Sequence, residues 1–233
     1  MLSLLLLILN QRTMPSHTEE NYLKAIYKLA EAEPGTAGVS TNRIAAALAT
    51  RAASVTDMLG RLAEKGLLDY EKYRGVHLTA EGRRLALLTV RKHRLWEVFL
   101  VQQLGFNWDE VHEVAEELEH VQSPLLMQRL DAFLGHPALD PHGDPIPAED
   151  GAVRRPATRL LADLGVAESG TLAAVKNTSA PFLQYLDKVG LQLGSLVEVL
   201  DKVVFDNSLE MRVNQQRNIL ISAEVSRNLF VTQ

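Results

Sequence analysis

The chain has 233 residues, enough for one large domain or two to three small ones, each able to bury its own core. Hydrophobic residues make up 46% and charged residues 23%, near the globular average, which excludes a disordered or fibrous protein. Cysteine is absent, so disulfides, thiolate metal sites and a cysteine nucleophile are excluded. Any metal must be held by His, Asp, Glu, Asn, Met or backbone oxygen.

The net charge of −5 conceals an asymmetry. Residues 14–94 carry thirteen Lys/Arg against nine Asp/Glu, a net of +4. Residues 95–150 carry Arg129 alone against twelve Asp/Glu, a net of −11. A basic block followed by a very acidic one suggests an anionic partner for the first and cations for the second, although two solvated surfaces would give the same totals.

Leu2 to Leu9 is an apolar run interrupted by Ser3, too short for a bilayer span of about 20 residues. No basic segment precedes it and no small-residue cleavage site follows. Met14 stands directly before a helix start, so residues 1–13 read as an extension outside the fold, and the chain as cytoplasmic with no membrane partner. From Thr18 to Glu33, Tyr22, Leu23, Ile26, Tyr27 and Ala30 mark one face of a helix. Ser40 is an N-cap for a short helix, Thr41 to Leu48, and a third helix runs from about Ala53 to Lys65, stopping at Gly66. Strands at Leu67–Tyr70 and Val76–Leu78 flank a charged turn. Helix-turn-helix followed by a hairpin with a basic tip predicts a winged helix, residues 14–78, with its third helix sized for a major groove about 12 Å wide.

Thr79 opens a long helix to Leu104, a second helix starts at Asn107 or Asp109 and reaches about Gln122, and Pro124 starts a third through Leu134. His136 to Pro147 is a loop, closing a helical domain of residues 79–147. A linker, 148–169, contains a short helix at Thr158–Leu164. Strands at Thr171–Val175, Leu196–Leu200, Val203–Phe205, Glu210–Val213 and Ile219–Ser222 predict a small barrel over 170–233. The fold class is mainly α with a small β domain.

His112, Glu116, Glu119 and His120 fall at i, i+4, i+7 and i+8, one face of the acidic helix, and His93 and Glu97 repeat the i, i+4 spacing on the helix before. Three imidazoles and three carboxylates suit a borderline divalent transition metal, the oxygen-rich half leaning toward Mn²⁺ or Fe²⁺. One such pair alone is ordinarily a surface hydrogen bond, and Glu116-Glu117-Leu118-Glu119-His120 alone a solvated acidic face. Two pairs on consecutive helices behind a winged helix favour metal.

Residues 14–147 resemble the diphtheria toxin repressor family of iron- and manganese-dependent repressors. The resemblance runs through Thr18-Glu19-Glu20-Asn21-Tyr22-Leu23 with Ile26-Tyr27, Ser54-Val55-Thr56, Tyr70-Glu71-Lys72-Tyr73-Arg74-Gly75 and Leu78-Thr79. It continues through Arg91-Lys92-His93-Arg94-Leu95 with Glu97, Val111-His112, Glu119-His120-Val121 and Gly143-Asp144-Pro145-Ile146-Pro147. It implies a winged helix, a helical dimerisation and metal-binding domain and a C-terminal SH3-like barrel, working as a homodimeric, metal-activated repressor on double-stranded operator DNA. By the same resemblance, His93, Glu97 and His112 fall on an ancillary metal site, and Glu119 and His120 on an activating site, making two ions per chain. Glu116 stands where iron-type members have Cys and manganese-type members Glu, which implies Mn²⁺, with Fe²⁺ as the alternative.

Asn21 occupies the first-helix ligand position in place of Met or Asp, and Lys24 stands where manganese-type members add a Glu; His17, Glu19 or Glu20 are nearby substitutes. Thr178 and Pro181 occupy the barrel's ligand positions of the iron type. On DNA, Arg51, Ser54, Thr56 and Asp57 are placed to meet base edges, and Arg43, Arg61, Lys72 and Arg74 to meet phosphates. Two other functions fit less of the sequence: a winged-helix regulator of a small organic ligand, and a di-iron carboxylate oxidase prompted by Glu117 and His120. No enzyme signature is complete.

Overall fold

The computed structural model describes residues 15–32, 38–71 and 75–233. The extension 1–13 and the wing-tip residues Lys72 and Arg74 lie outside the described residues. Two compact units emerge: residues up to Lys92 with Glu119–Gln122 and Pro147–Ala152, and His93–Leu118 with Ser123–Ile146 and Val153–Gln233.

In the first unit, helix α1 (His17–Ala32) buries Tyr22, Leu23, Ile26 and Tyr27, as the spacing predicts, but leaves Ala30, near its end, exposed. Its start is a reciprocal capping box: Ser16 N donates to Glu19 Oε2 at 2.9 Å and Glu19 N to Ser16 Oγ at 3.4 Å. Helix α2 (Thr41–Ala47) is capped by Ser40 through Arg43 N. Helix α3 (Ala52–Glu64) buries Val55, Met58, Leu59 and Leu62. Strands β1 (Leu68–Glu71) and β2 (Gly75–Leu78) pair antiparallel, and Val39 bridges to Val76. The result is the expected winged helix.

Thr79 then caps helix α4 (Ala80–Leu104), accepting from Gly82 N at 3.1 Å and donating to Gly66 O at 2.9 Å. The first turn of α4 presses on the base of the hairpin so closely that a Cβ at Gly82 would sit 1.8 Å from Leu67 O.

In the second unit, α5 (Val111–Leu118) is shorter than the sequence predicts at both ends. Residues 108–110 form a turn, and so do Glu119 and His120. Pro124 holds Ser123 extended (φ −89°, ψ 105°), so no helix could continue into α6 (Pro124–Phe133). The i, i+4, i+7, i+8 face therefore breaks after Leu118, and the helical Glu117–His120 pairing that prompted the di-iron alternative does not form.

The barrel is one antiparallel sheet whose strands lie side by side in the order 159–160, 229–232, 169–175, 196–202, 209–213, 217–221. Its strands are β3 (Arg159–Leu160), β4 (Ser169–Val175), β5 (Leu196–Lys202), β6 (Leu209–Val213), β7 (Arg217–Ile221) and β8 (Leu229–Thr232). Alternate residues such as Leu172, Val197, Val199, Leu209, Met211, Val213 and Val231 fill its core. The helix expected at 158–164 is instead β3 and a short 3₁₀ turn, Leu161–Asp163. Val204 and Phe205, expected in a strand, form an exposed turn beyond a bulge in β5. Helix α7 (Ala180–Val189) was not anticipated, although Pro181 near its start and Gly190 at φ 63° after its end mark it. A four-residue helix, α8 (Ala223–Ser226), leads into β8.

Among the described residues, no helix is long and apolar enough to cross a membrane. Replacing Gly82 by Ala should force α4 away from the hairpin and destabilise the protein by about 2 kcal/mol. A urea midpoint unchanged from wild type would show that this contact is not tight.

Candidate metal centres and nucleic-acid interface

In the second unit, three imidazoles surround one carboxylate oxygen. His93 and Glu97 stand one turn apart on α4, with His93 Nε2 3.0 Å from Glu97 Oε1. His112, in the first turn of α5, brings Nδ1 to 3.6 Å from the same oxygen, and its Nε2 lies 3.5 Å from Glu116 Oε1. His142, from the loop between α6 and the barrel, brings Nδ1 to 3.8 Å. Glu97 is 2% exposed. The donor atoms form two overlapping sets, His93–His112–Glu116 and Glu97–Asp140–His142, each within 4.8 Å.

Burial opposes the charge on Glu97, yet hydrogen bonds from His112 and His93 and the fields of His93 and His142 hold its carboxyl well below the usual range. Burial, and then the charges of Glu97 and Asp144, push Asp140 up to about 7 against the pull of Arg94 and His142. Such crowding of buried carboxylates and imidazoles fits a cation. The sequence analysis missed Asp140 and His142. They are ten or more residues from any other candidate, and only the folded loop brings them in.

The first unit holds the second cluster. Lys24 Nζ lies 2.7 Å from both carboxylate oxygens of Glu119, with the two side chains 6% and 0% exposed. Glu20 Oε2 is 2.6 Å from His120 Nδ1, and its Oε1 accepts from Lys92 at 2.9 Å and Gln122 at 3.2 Å. Burial opposes the Glu20 charge, but the hydrogen bonds from His120 and Lys92 lower its pKa. The His17 ring stacks on His120 at 4.6 Å. Of the three nearby substitutes, Glu20 is thus the carboxylate at His120, while Glu19 turns to Lys65 at 2.6 Å. Asn21 Oδ1 is buried without a hydrogen-bond partner, a cost of about 1–3 kcal/mol that a bound cation would remove. Its donor set of amide oxygen, carboxylates and one imidazole suits a hard-to-borderline divalent ion.

On α3, Arg51, Ser54, Thr56, Asp57 and Arg61 are exposed, and Ser54, Asp57 and Arg61 share a face at i, i+3, i+7. Thr56 Oγ1 donates to Ala52 O at 3.0 Å. Arg43, on α2, is half-buried.

Residues 14–76 match the family described as iron dependent repressor, N-terminal DNA binding domain, and residues 79–148 its metal binding and dimerisation domain. The diphtheria toxin repressor of Corynebacterium diphtheriae is 31% identical over 202 residues, covering 79% of this chain and 85% of that protein. The chain belongs to the iron-dependent repressor family. Its residues 159–233 match the FeoA domain. Among the family's members, the iron-dependent repressor IdeR of Mycobacterium leprae is 36% identical over 161 residues, 68% of this chain and 63% of the relative, so the chain spans less than two thirds of that protein. A solved structure described as a manganese-dependent transcriptional repressor in complex with manganese is 38% identical, with a TM-score of 0.84, covering 91% of this chain and 98% of the other.

In this chain, Glu119→Ala would leave the buried Lys24 ammonium without its main counter-charge. The variant should lose about 3 kcal/mol of stability in the absence of added metal, measured by denaturant titration. A loss below about 1 kcal/mol would mean that the pair is solvated in solution.

Proposed function

We propose that this protein is a cytoplasmic, metal-activated transcriptional repressor that binds operator DNA as a homodimer and senses Mn²⁺, with Fe²⁺ as the alternative. The observation that carries this is the tie between α1 and the segment following α5. Glu20 on α1 meets His120, and Lys24 on α1 meets Glu119. Helix α1 also packs on α2, which packs on α3. Residues that could hold a cation therefore bear directly on the helix pair that presents Arg51, Ser54, Thr56, Asp57 and Arg61.

The two clusters support a reading of two ions per chain. An oxygen-rich activating site would draw on Asn21, Glu20, Glu119 and His120; a nitrogen-rich ancillary site would draw on His93, Glu97 and His112, with Glu116 beside His112 rather than at the activating site where the sequence puts it. A divalent cation supplies a concentrated positive charge that several anionic and neutral donors can share. Glu20 and Asn21 orient α1 toward that charge, and α1 fixes the helices that read DNA. Because coupling is reciprocal, operator must raise metal affinity by the factor by which metal raises operator affinity. Self-association is supported by large apolar side chains left exposed in the helical part: Leu104 (58%), Leu125 (56%) and Phe133 (65%). Relatives and solved neighbours are repressors by name, which argues for regulation rather than catalysis.

Chelation should weaken operator binding by roughly 5–150-fold, and Mn²⁺ should restore it. His120→Ala should remove the metal response, while His93→Ala weakens it only in part. Operator affinity unchanged by chelator in a fluorescence-anisotropy titration would overturn this function.

Selectivity gives a separate test. Zn²⁺ should bind more tightly than Mn²⁺, but Mn²⁺ should activate more fully, because it accepts the higher coordination that carboxylates supply. Glu116→Cys introduces a soft thiolate and should move the response toward Fe²⁺, Co²⁺ or Zn²⁺. An unchanged ranking of metals in the operator-binding assay would remove Glu116, beside His112, from any part in metal selection.

A further inference from the structure

We propose that the barrel carries a binding site for a small zwitterionic α-amino acid, in a recess on the outer faces of β4, β5 and β6. The recess has a volume of about 120 Å³ and is lined by Ala167, Ser169, Leu196, Glu198, Arg212 and Gln215. It uses no residue of either metal cluster.

Strand register sets its polar floor. Ser169 on β4 pairs with Glu198 on β5, and Glu198 pairs with Arg212 on β6. Val197, Val199, Met211 and Val213 turn into the core, so alternation puts Ser169, Glu198 and Arg212 in one row on the outside. Arg212 Nη1 donates to Glu198 Oε2 at 3.0 Å, and both side chains stay partly exposed. That contact leaves Glu198 Oε1 and most of the guanidinium N–H groups without a partner among the described residues. Ser169 Oγ and the Gln215 side-chain amide make no hydrogen bond among them either. Leu196, two residues before Glu198, shares its face and adds an exposed apolar surface.

The two ends of the recess are built from backbone that L residues rarely adopt. Ala167 (φ 66°), Asn214 (φ 50°) and Gln215 (φ 58°) are three of the six described non-glycine residues with positive φ. Ala167 has no polar side chain to ease that conformation. It is held all the same: Ala167 N donates to Val199 O at 2.8 Å, and Val199 N to Glu168 O at 2.9 Å. At the other end the turn is clamped to β5. Asn214 N donates to Leu196 O, and Leu196 N to Asn214 Oδ1, both at 2.8 Å. Residues held in such costly conformations concentrate at ligand clamps.

The ion pair selects the ligand. A lone anion at Arg212 would be repelled by Glu198, and a lone cation at Glu198 would be repelled by Arg212. A zwitterion satisfies both, its carboxylate accepting from the remaining guanidinium N–H groups and its ammonium donating to Glu198 Oε1. Charge-assisted hydrogen bonds of this kind are the strong ones. Ser169 and Gln215 are placed to complete them, and Leu196 offers contact to an aliphatic side chain. An apolar wall with a few convergent polar groups is the ordinary form of a small-molecule site.

The test is a titration of the ¹⁵N-labelled full chain with L-valine, without added metal, so the outcome is independent of metal sensing. The amides of Ser169, Leu196, Glu198, Arg212 and Gln215 should shift in the millimolar range. Isovalerate, which lacks the ammonium, and isobutylamine, which lacks the carboxylate, should each bind at least about tenfold more weakly. Arg212→Gln and Glu198→Gln should weaken L-valine by a similar factor, in variants whose melting curves match wild type. If isovalerate binds as well as L-valine, the recess is an anion site at Arg212 and the proposal fails. Equal binding of isobutylamine, or unchanged L-valine affinity in both folded variants, would overturn it as well. So would the absence of shifts with L-valine and with the smaller L-alanine.

Discussion

The negative charge on Glu97 is the constraint around which the second unit is organised. A carboxylate 2% exposed is several kcal/mol unfavourable unless it is paired, and the side chains that face Glu97 are imidazoles. Instead α4, α5 and the loop after α6 each contribute one imidazole. Imidazole is only a weak cation near neutral pH, so this pairing depends on protonation unless another cation is present. The packing around it is apolar and tight: Leu95, Val98, Leu130 and Ile146 on one side, Leu100, Val111 and Ala115 on the other. These contacts hold the three elements at the spacing that brings their imidazoles to Glu97.

The first unit solves the same problem with different chemistry. Glu119 is entirely buried, and its counter-charge is a permanent one, the Lys24 ammonium held by both oxygens. A carboxylate satisfied in this way does not need a metal to remain folded. What is unsatisfied there is neutral, the Asn21 amide oxygen. The two clusters thus differ in what a cation would add: at Glu97 it would replace weak, proton-dependent pairing, and near Asn21 it would relieve an orphaned acceptor beside an existing ion pair.

Most of the α-helical architecture was legible because it is carried by local signals. Ser40, Thr79 and Ser123 each cap the helix expected to follow them, and the apolar spacing in α1 and α3 puts the expected residues inside. The ends of α5 were not legible, since periodicity continues through Glu119 and His120 while the backbone turns at them. The β domain was read through its alternating strands, but α7 was passed over because Gly190, which ends it, also reads as a turn between strands. Of the candidate metal ligands, those with i, i+4 partners announce themselves. Glu20 was one of three neighbours that spacing could not separate, and His142 depends on a loop whose path is set by Asp140 and Gly143 rather than by any period.

The charge asymmetry along the chain resolves into two kinds of acid. Glu113 and Glu117 on α5 are exposed and solvated, whereas Glu97 and Glu119 are buried and committed to partners. The solvated group does not bind an ion, but it has an effect at range. A net of −11 over residues 95–150 repels a DNA phosphate backbone, and at physiological salt that repulsion decays over about 8 Å. The +4 segment is then the part of the chain that DNA can approach, with Arg51 and Arg61 on the exposed side of α3. The same acidic surface raises the local concentration of divalent cations around the residues able to hold them. Glu20 and Asn21 belong to the +4 segment and Glu119 and His120 to the −11 one, so a cation shared by these residues would tie the two segments together at α1.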